Sequence, residues 1–447
     1  MKLSLAERDK KVIWHPFTPQ KYMAEPISVV KADGTLLTDI NGNHYIDAIS
    51  SWWVTLHGHA NTYIAQKIYE QAITLEQVIF AGFTHEPAVR LAERLIDILP
   101  GSFSKIFYSD DGSTSTEVAI KMSIQYWWNK GEPQRNKILA FTNAYHGDTF
   151  GAMSVSDRSV FTLAFQDKLF EVLFVDAPEN PDVWKSGSPE VCSMLPEDSF
   201  RLSDFQTSGL PWNEIACFIY EPLVQGAGGM KMYSADGLHS LLQKCHAHNI
   251  ICIADEVMTG FGRTGKLFAS AYVEEKPDIV CLSKGLTGGT MAMGVTAVTE
   301  KIYSAFVEED KRKTFFHGHS FTANPLACTA ALASLDLLLN EDCQRQIGQI
   351  IQQQATFLQQ LAAHREELNI KNLRQLGTIL AFEIDWGKDE YLNDISTIIS
   401  KKALSRGVYL RPLGNTLYIM PPYCTTIEQL QHVYSTITGI LQELPNT

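Results

Sequence analysis

Residues 250–257 read IICIADEV, residues 258–268 read MTGFGRTGKLF, and residues 277–289 read PDIVCLSKGLTGG. The apolar run Ile250–Ala254 is too short for a helix and ends in two acids. That is the pattern of a buried parallel strand with Asp255 at its carboxyl end. The run Asp278–Leu282 reads as a second buried strand, and it delivers Ser283, Lys284 and Gly285 into a glycine-rich loop. Ligand chemistry in open α/β sheets collects at the carboxyl ends of strands, so the spacing predicts that Asp255 and Lys284 face one crevice. A lysine amine there can form a Schiff base with a carbonyl, and a buried acid can hold a cationic ring nitrogen beside it. A surface lysine and a helix-capping acid is the plainer alternative, but lysine is rarely buried without a role.

The chain around this crevice has 447 residues, enough for a large core and two domains. Its 45% hydrophobic and 19% charged residues are those of a soluble globular protein. A net charge of −13 leaves no basic stripe to displace counterions, which argues against nucleic acid as a partner. The longest apolar runs are too short for a membrane span. The start, MKLSLAERDKKVIW, has neither an apolar core nor a small-residue cleavage site, so export is not expected. Eight cysteines are scattered without a Cys-x-x-Cys pair, as in the reduced core of a cytoplasmic protein.

Taken in order, residues 1–60 begin with a helix-like segment and continue into VVKADGTLLTDINGNHYIDA. Its Ala-Asp-Gly and Asn-Gly turns predict a small antiparallel meander. Residues 61–330 alternate strand and helix patterns, which implies a doubly wound, mostly parallel α/β sheet. A Pro-, Ser- and Asp-rich stretch over 176–212 interrupts it and reads as a long surface excursion. Residues 331–447 change to amphipathic helices (342–366, 392–406, 426–443) and short strands (377–385, 408–411, 417–420), the pattern of a small α+β domain. The expected division is therefore 1–60 and 331–447 in a small domain built from both termini, and 61–330 in the large one.

Further candidates lie along this frame. Gly112 and Ser113 sit where the strand-like KIFYSD turns into a helix, and Thr114-x-x-Glu117 reads as its capping box. Such a terminus either is an ordinary cap or holds a phosphate. Upstream of the Asp255 and Lys284 pair, the phosphate reading is favoured, and the three features together are the chemistry of pyridoxal phosphate. Tyr145 follows the strand KILAFTN, either as a half-buried loop residue or with its ring flat on a cofactor. Glu221 ends the strand ACFIYEP, either solvated or beside the same crevice. Of Trp52 and Trp53, one is expected in the core and the other as a wall for an apolar substrate. Ser320 and Thr322 precede a helix starting near Asn324, a second possible phosphate terminus. Arg411 could clamp a carboxylate or stand exposed beside a proline turn. His57-Gly-His59 and His317-Gly-His319 suggest a metal, but no cysteine or carboxylate cluster completes a site, and none is expected.

DEVMTGFGRTGKLFA followed by DIVCLSKGL, together with WHPFT, SSWWVTLHGH, DDGSTSTEVAIKM, AYHGDTFGAMS, EPLVQGAGGM, HGHSFTANPLAC and RPLGNTLYIMPPY, resembles the class III (ornithine-type) aminotransferases over essentially the whole chain. These are fold type I pyridoxal phosphate enzymes. The resemblance implies that Lys284 carries the cofactor, Asp255 meets its pyridine nitrogen, Tyr145 covers its ring, and Gly112 and Ser113 hold its phosphate. It also implies a homodimer in which Gly318, His319 and Ser320 reach the neighbouring subunit's cofactor, with Phe17, Trp52 and Arg411 binding small-molecule substrate. Phe17 stands where the family usually has tyrosine, and His319 and Ser320 replace the commoner proline and threonine. Another ω-aminotransferase using a diamine or β-alanine is the rival within the class. A non-enzymatic protein of the same fold, which would be colourless even with added cofactor, is the rival outside it.

Overall fold

The computed structural model of the protein describes residues 3–178, 209–386 and 393–444. Residues 179–208, the middle of the expected excursion, lie outside the described residues. The large sheet has seven strands in the order Phe103–Ser109, Gly294–Thr299, Ile279–Leu282, Ile251–Asp255, Ile215–Tyr220, Lys137–Phe141 and Leu173–Val175. Ile215–Tyr220, Ile251–Asp255 and Ile279–Leu282 are buried throughout, because helices cover both faces. That is why their sequences are continuous apolar runs without alternation. The sheet is mostly parallel, as the alternating pattern predicts. The exception is Gly294–Thr299, which runs antiparallel to both of its neighbours.

Gly112–Asn129 packs on one face through Val118, Ile120 and Trp127. Glu86–Ile98, Ala235–Ala247 and Pro325–Leu338 belong to the core on the other. Asp255 pairs with Cys281 across the central parallel strands, so the carboxyl ends of both strands open on the same edge. The strand reading of 250–254 and 278–282 is met within a residue at each end.

The expected meander is present as Val29–Asp33, Leu36–Asp39 and His44–Asp47. Val408–Tyr409 joins it in parallel, with Val408 opposite Ile46, so the two ends of the chain share one sheet. A second sheet holds Ile370–Leu376, Ile379–Ile384 and Thr416–Ile419, with Glu341–Ala363 packed against its first strand. The sequence reading began this sheet only at residue 377. Ile370–Leu376 escaped it because IKNLRQL is polar, with only Ile370 and Arg374 buried.

The hairpin between the first two strands of this sheet turns on Gly377, with φ of 59°. A Cβ there would lie 2.1 Å from the Thr264 carbonyl carbon and 2.3 Å from the Gly265 nitrogen, both backbone atoms of the loop after Asp255. Gly131 has a similar φ of 81° but nothing within 4 Å of its Cβ position. Gly131→Ala should therefore cost only the left-handed backbone term, about 1–2 kcal/mol. Gly377→Ala should cost more than twice that, because backbone on the large sheet must move. Thermal unfolding of the two variants measures the difference, and equal losses would refute the close approach.

Candidate active site

Lys284 and Asp255 line one cavity of about 690 Å³, together with Trp53, Gly112, Ser113, Tyr145 and Glu221. Lys284 follows its strand directly and holds a φ of 45°, a left-handed conformation that turns the chain away at the sheet edge. Its Nζ lies 4.7 Å from the centroid of the Trp53 ring. Burial pushes the amine below the ordinary lysine value, and the charges of Asp255 and Glu221 pull it part of the way back. A lysine held this way has a larger neutral, nucleophilic fraction than one in water.

Asp255 is only 4% exposed. One carboxylate oxygen accepts from the Val257 N–H at 3.0 Å and the other from His146 Nδ1 at 2.7 Å. A carboxylate only accepts, so His146 carries its proton on Nδ1. His146 Nε2 is buried with no partner among the described residues. Among the sequence candidates stood its neighbour Tyr145 and not His146, although a histidine just past a strand end is a signal in itself. Glu221 reaches the cavity as one of its two readings expected. It accepts from the Tyr145 N–H at 3.0 Å and the Gly226 N–H at 2.8 Å. Tyr145 itself lines the cavity, and burial, with Asp148 beside it, pushes its phenol well above the usual range.

The helix Gly112–Asn129 points its first turn into the same cavity. Its cap is not the expected Thr114 and Glu117 pair. Asp111 accepts from the Thr114 N–H at 2.8 Å, and the Thr114 hydroxyl accepts from the Asp111 N–H at 2.9 Å. Asp111 precedes the helix by one residue and has the shorter, better-placed side chain. Glu117 instead accepts from the Thr149 hydroxyl at 2.5 Å and from the N–H groups of Gly151 and Ala152 at 2.7 and 3.1 Å, capping the helix Phe150–Val155. The Gly112 and Ser113 N–H groups are left without a protein acceptor among the described residues. The Ser113 hydroxyl accepts from the Thr149 N–H at 3.0 Å. Gly147 crosses so close that a Cβ would sit 2.2 Å from Ser113 Oγ. Two free N–H groups at a helix start, a deep amine and a buried carboxylate in one cavity fit pyridoxal phosphate.

Trp53 is the tryptophan in the core, 4% exposed, with Nε1 donating to the Tyr418 hydroxyl at 2.9 Å, and it also lines the cavity. Trp52 stands outside, half in solvent, where it meets the other expected substrate residues. The Arg411 guanidinium lies 4.7 Å from the centre of the Trp52 ring, and Phe17 meets Trp52 edge-on at 5.4 Å. Phe17 in turn meets Phe161 at 5.7 Å, and Phe161 meets Tyr145 at 6.4 Å. An aromatic path thus leads from the cavity to Arg411. Phe161 gave no sequence signal, since SDRSVF carries no motif.

Gly318, His319 and Ser320 do not line this cavity. His319 Nδ1 lies 2.9 Å from Asp110, and the Ser320 carbonyl accepts from Gln77 at 2.6 Å. The helix after them, Pro325–Leu338, is capped by Asn324. The two His-Gly-His motifs do not converge either. His57 meets Ser334, His59 meets Asp47, and His317 meets Lys121. Elsewhere, His246, Cys252 and Asp278 bring ligand-type atoms within 4.8 Å of one another. Lys301 already lies 3.0 Å from Asp278, and Glu275 lies 2.6 Å from His246.

Comparison with known proteins gives a consistent picture. The family model described as aminotransferase class-III matches residues 17–441. A Synechococcus elongatus protein named adenosylmethionine-8-amino-7-oxononanoate aminotransferase is 46% identical over 97% of this chain and 99% of its own length. A Helicobacter pylori protein of the same name is 37% identical over 99% and 98%. The crystal structure of the enzyme of that name from Methanocaldococcus jannaschii superposes with a TM-score of 0.88, at 32% identity and 99% coverage of both chains. A pyridoxal-phosphate-bound amine transaminase from an uncultivated Pseudomonas species gives 0.85 at 30% identity, covering 96% of this chain and 98% of the other.

Glu221 supplies a pH signature of the site. Burial raises its carboxyl to about 7, against the pull of His146 and with a further push from Asp255. A raised acid binds its proton more tightly in the folded state, so its contribution to stability is complete below about pH 4.5. It is lost as the pH rises to about 7. Wild type should therefore lose about 3 kcal/mol relative to Glu221→Gln between pH 4.5 and 8. Denaturation of both proteins across that range measures it, and a constant difference would show that Glu221 is ionised throughout.

Proposed function

Since the chain belongs to the class III aminotransferases, we propose that it moves an amino group onto 8-amino-7-oxononanoate, giving 7,8-diaminononanoate for biotin synthesis, with adenosylmethionine as donor. The observation that carries this reading is the cavity shared by Lys284 and Asp255, joined by an aromatic path to Arg411. The acceptor has a carboxylate at the end of a polymethylene chain, and that geometry suits it. Arg411 would take the carboxylate, while Trp52, Phe17 and Phe161 would take the chain.

Pyridoxal phosphate, when bound, supplies the carbonyl that captures the amino group and the electron sink that makes the α-proton acidic. Gly112 and Ser113 would hold its phosphate, Asp255 its ring nitrogen, Tyr145 its face and Lys284 its carbonyl carbon. The remaining work falls to the chain. Lys284 Nζ, with its basicity lowered by burial, would accept the proton from the donor's α-carbon and return it to the carbon on the far side of the amino nitrogen, two atoms further on. Asp255 is held in place by the Val257 N–H and His146 Nδ1, one donor to each carboxylate oxygen. The Trp53 ring covers one side of the amine, with the ring centroid 4.7 Å away.

We place the enzyme in the cytoplasm as a homodimer, each subunit completing the other's site with Gly318, His319 and Ser320. Two features support the dimer. These residues stand away from their own cavity, and large apolar side chains such as Phe316 and Phe321 beside them are exposed. None of the described helices is long and apolar enough to cross a membrane. Lysine remains the second candidate donor because of Phe17. The ring meets those of Trp52 and Phe161 and offers no hydroxyl to a polar donor.

Two experiments test the reading. Single-turnover spectra with adenosylmethionine or lysine, followed by 8-amino-7-oxononanoate, identify donor and acceptor. Conversion of the cofactor spectrum by adenosylmethionine is expected in wild type and in Phe17→Tyr, and conversion by lysine alone would change the donor. Lys284→Ala should still bind cofactor yet lose at least about 10³-fold in rate, the scale of a lost general acid–base. Mixed dimers of Lys284→Ala with Ser320→Asp address the shared sites. If sites are shared, one site per dimer carries both lesions and the other keeps activity. Fully inactive mixed dimers would mean that each chain builds its own site.

A further inference from the structure

Three of the four residues Ser50–Trp53 are held with positive φ. Ser50 has 55°, Ser51 61° and Trp53 68°, and Ser51 combines this with a ψ of −89°. None is glycine, so the turn persists only where its surroundings fix it at several points. The fixing group is Asp47, whose side chain is fully buried. One of its oxygens accepts from the Ile49 N–H at 3.1 Å, and the other from the Ser51 N–H at 2.5 Å and the Ser51 hydroxyl at 3.4 Å. His59 Nε2 donates to that second oxygen at 2.9 Å. His59 is itself anchored, exchanging backbone bonds with Gly34 at 2.6 and 3.2 Å. From the other side, the Ser50 hydroxyl donates to the Met420 carbonyl at 2.8 Å, and buried Arg263 donates to the Trp53 and Thr55 carbonyls at 3.5 and 3.3 Å.

The strained turn has a consequence at the site. It sends the two adjacent tryptophans in different directions, Trp53 over the Lys284 amine and Trp52 under the Arg411 guanidinium. A relaxed turn would point both elsewhere. We propose that Asp47 and His59 are positioning residues: a buried carboxylate–imidazole clamp that sets the strained Ser50–Trp53 turn, and through Trp52 the seat of the acceptor's carboxylate. This deepens the function proposed above and rests on it for the identity of that carboxylate. The clamp touches neither substrate nor cofactor.

The test uses the holoenzyme and a mutant cycle. Steady-state constants for the keto acceptor are measured in wild type, Asp47→Asn, His59→Leu and His59→Gln, each with and without Trp52→Ala. Near-ultraviolet circular dichroism is recorded on the cofactor-free proteins. Asp47→Asn and His59→Leu should raise KM about tenfold or more, since small misplacement of a positioning group is costly. His59→Gln, which can still donate to Asp47, should restore KM to within about threefold of wild type. With Trp52 already removed, the same substitutions should change KM by less than about threefold, because the clamp acts through that ring. The tryptophan bands should weaken in His59→Leu and recover in His59→Gln. If Asp47→Asn does not fold, the His59 pair decides alone.

Equal KM effects in both backgrounds would overturn the clamp, as would a lower melting temperature with KM and tryptophan bands unchanged. A wild type that turns over no keto acid would defeat the proposed function instead. The dichroism of the cofactor-free variants would then still decide the clamp.

Discussion

The structure depends on meeting the Asp255 carboxylate with donors inside the protein. At 4% exposure a carboxylate oxygen left without a partner would carry its full desolvation cost. The Val257 N–H and His146 Nδ1 supply one donor to each oxygen, and each comes from a different part of the sheet edge. Val257 belongs to the loop that leaves the same strand, whereas His146 arrives after Lys137–Phe141, two strands away in the sheet. The sheet order is thus an electrostatic requirement as well as a packing solution. Burial lowers the Lys284 amine and raises the Glu221 carboxyl, while Asp255 between them draws the first part of the way back and pushes the second further.

Strain is spent around the same cavity. Lys284, Ser50, Ser51, Trp53 and Phe17 all hold positive φ. Each costs of order 1–3 kcal/mol, and a fold keeps such a cost only where several bonds enforce it. For Lys284 the enforcement is the strand before it and the turn to Gly288 after it. Lys284 and Phe17 are thus held directly in strained backbone, and Trp52 is placed by the strained residues on either side of it.

The sequence revealed the chemical centre more fully than its surroundings. Asp255 and Lys284 could be read because buried parallel strands are unbroken apolar runs and their ends are abrupt. Gly112 and Ser113 could be read because a strand turning into a helix leaves unpaired N–H groups. The supporting groups were hidden because their partners are remote in sequence. His146 lies 109 residues from Asp255, and Glu117 reaches forward to Gly151 where a local cap was expected. Of the tryptophans, the sequence could not tell which way a left-handed turn would send each ring. Trp53 took the core and also lines the cavity, while Trp52 stands beside Phe17 and Arg411. Gly318, His319 and Ser320 stand outside this cavity, and the reach into a partner's site proposed for them has no mark in one chain's periodicity.

This difference in legibility follows from how the molecule divides its tasks. The residues proposed for proton transfer sit at one sheet edge, where register fixes each group to within a residue, and register is written in local hydrophobic pattern. The proposed substrate path is assembled from both ends of the chain and the sheet between them. Phe17 and Trp52 come from the amino-terminal part, Arg411 from the carboxyl-terminal part, and Phe161 and Tyr145 from the large sheet's connections. The parallel bond between His44–Asp47 and Val408–Tyr409 joins the two ends close to that path, with Arg411 two residues past one strand and Ile49 two past the other. A change in that short pairing would move Arg411 against Trp52 while leaving Lys284 and Asp255 in place. Specificity can then drift while the chemistry stays fixed, as expected of a family that applies one reaction to many amines.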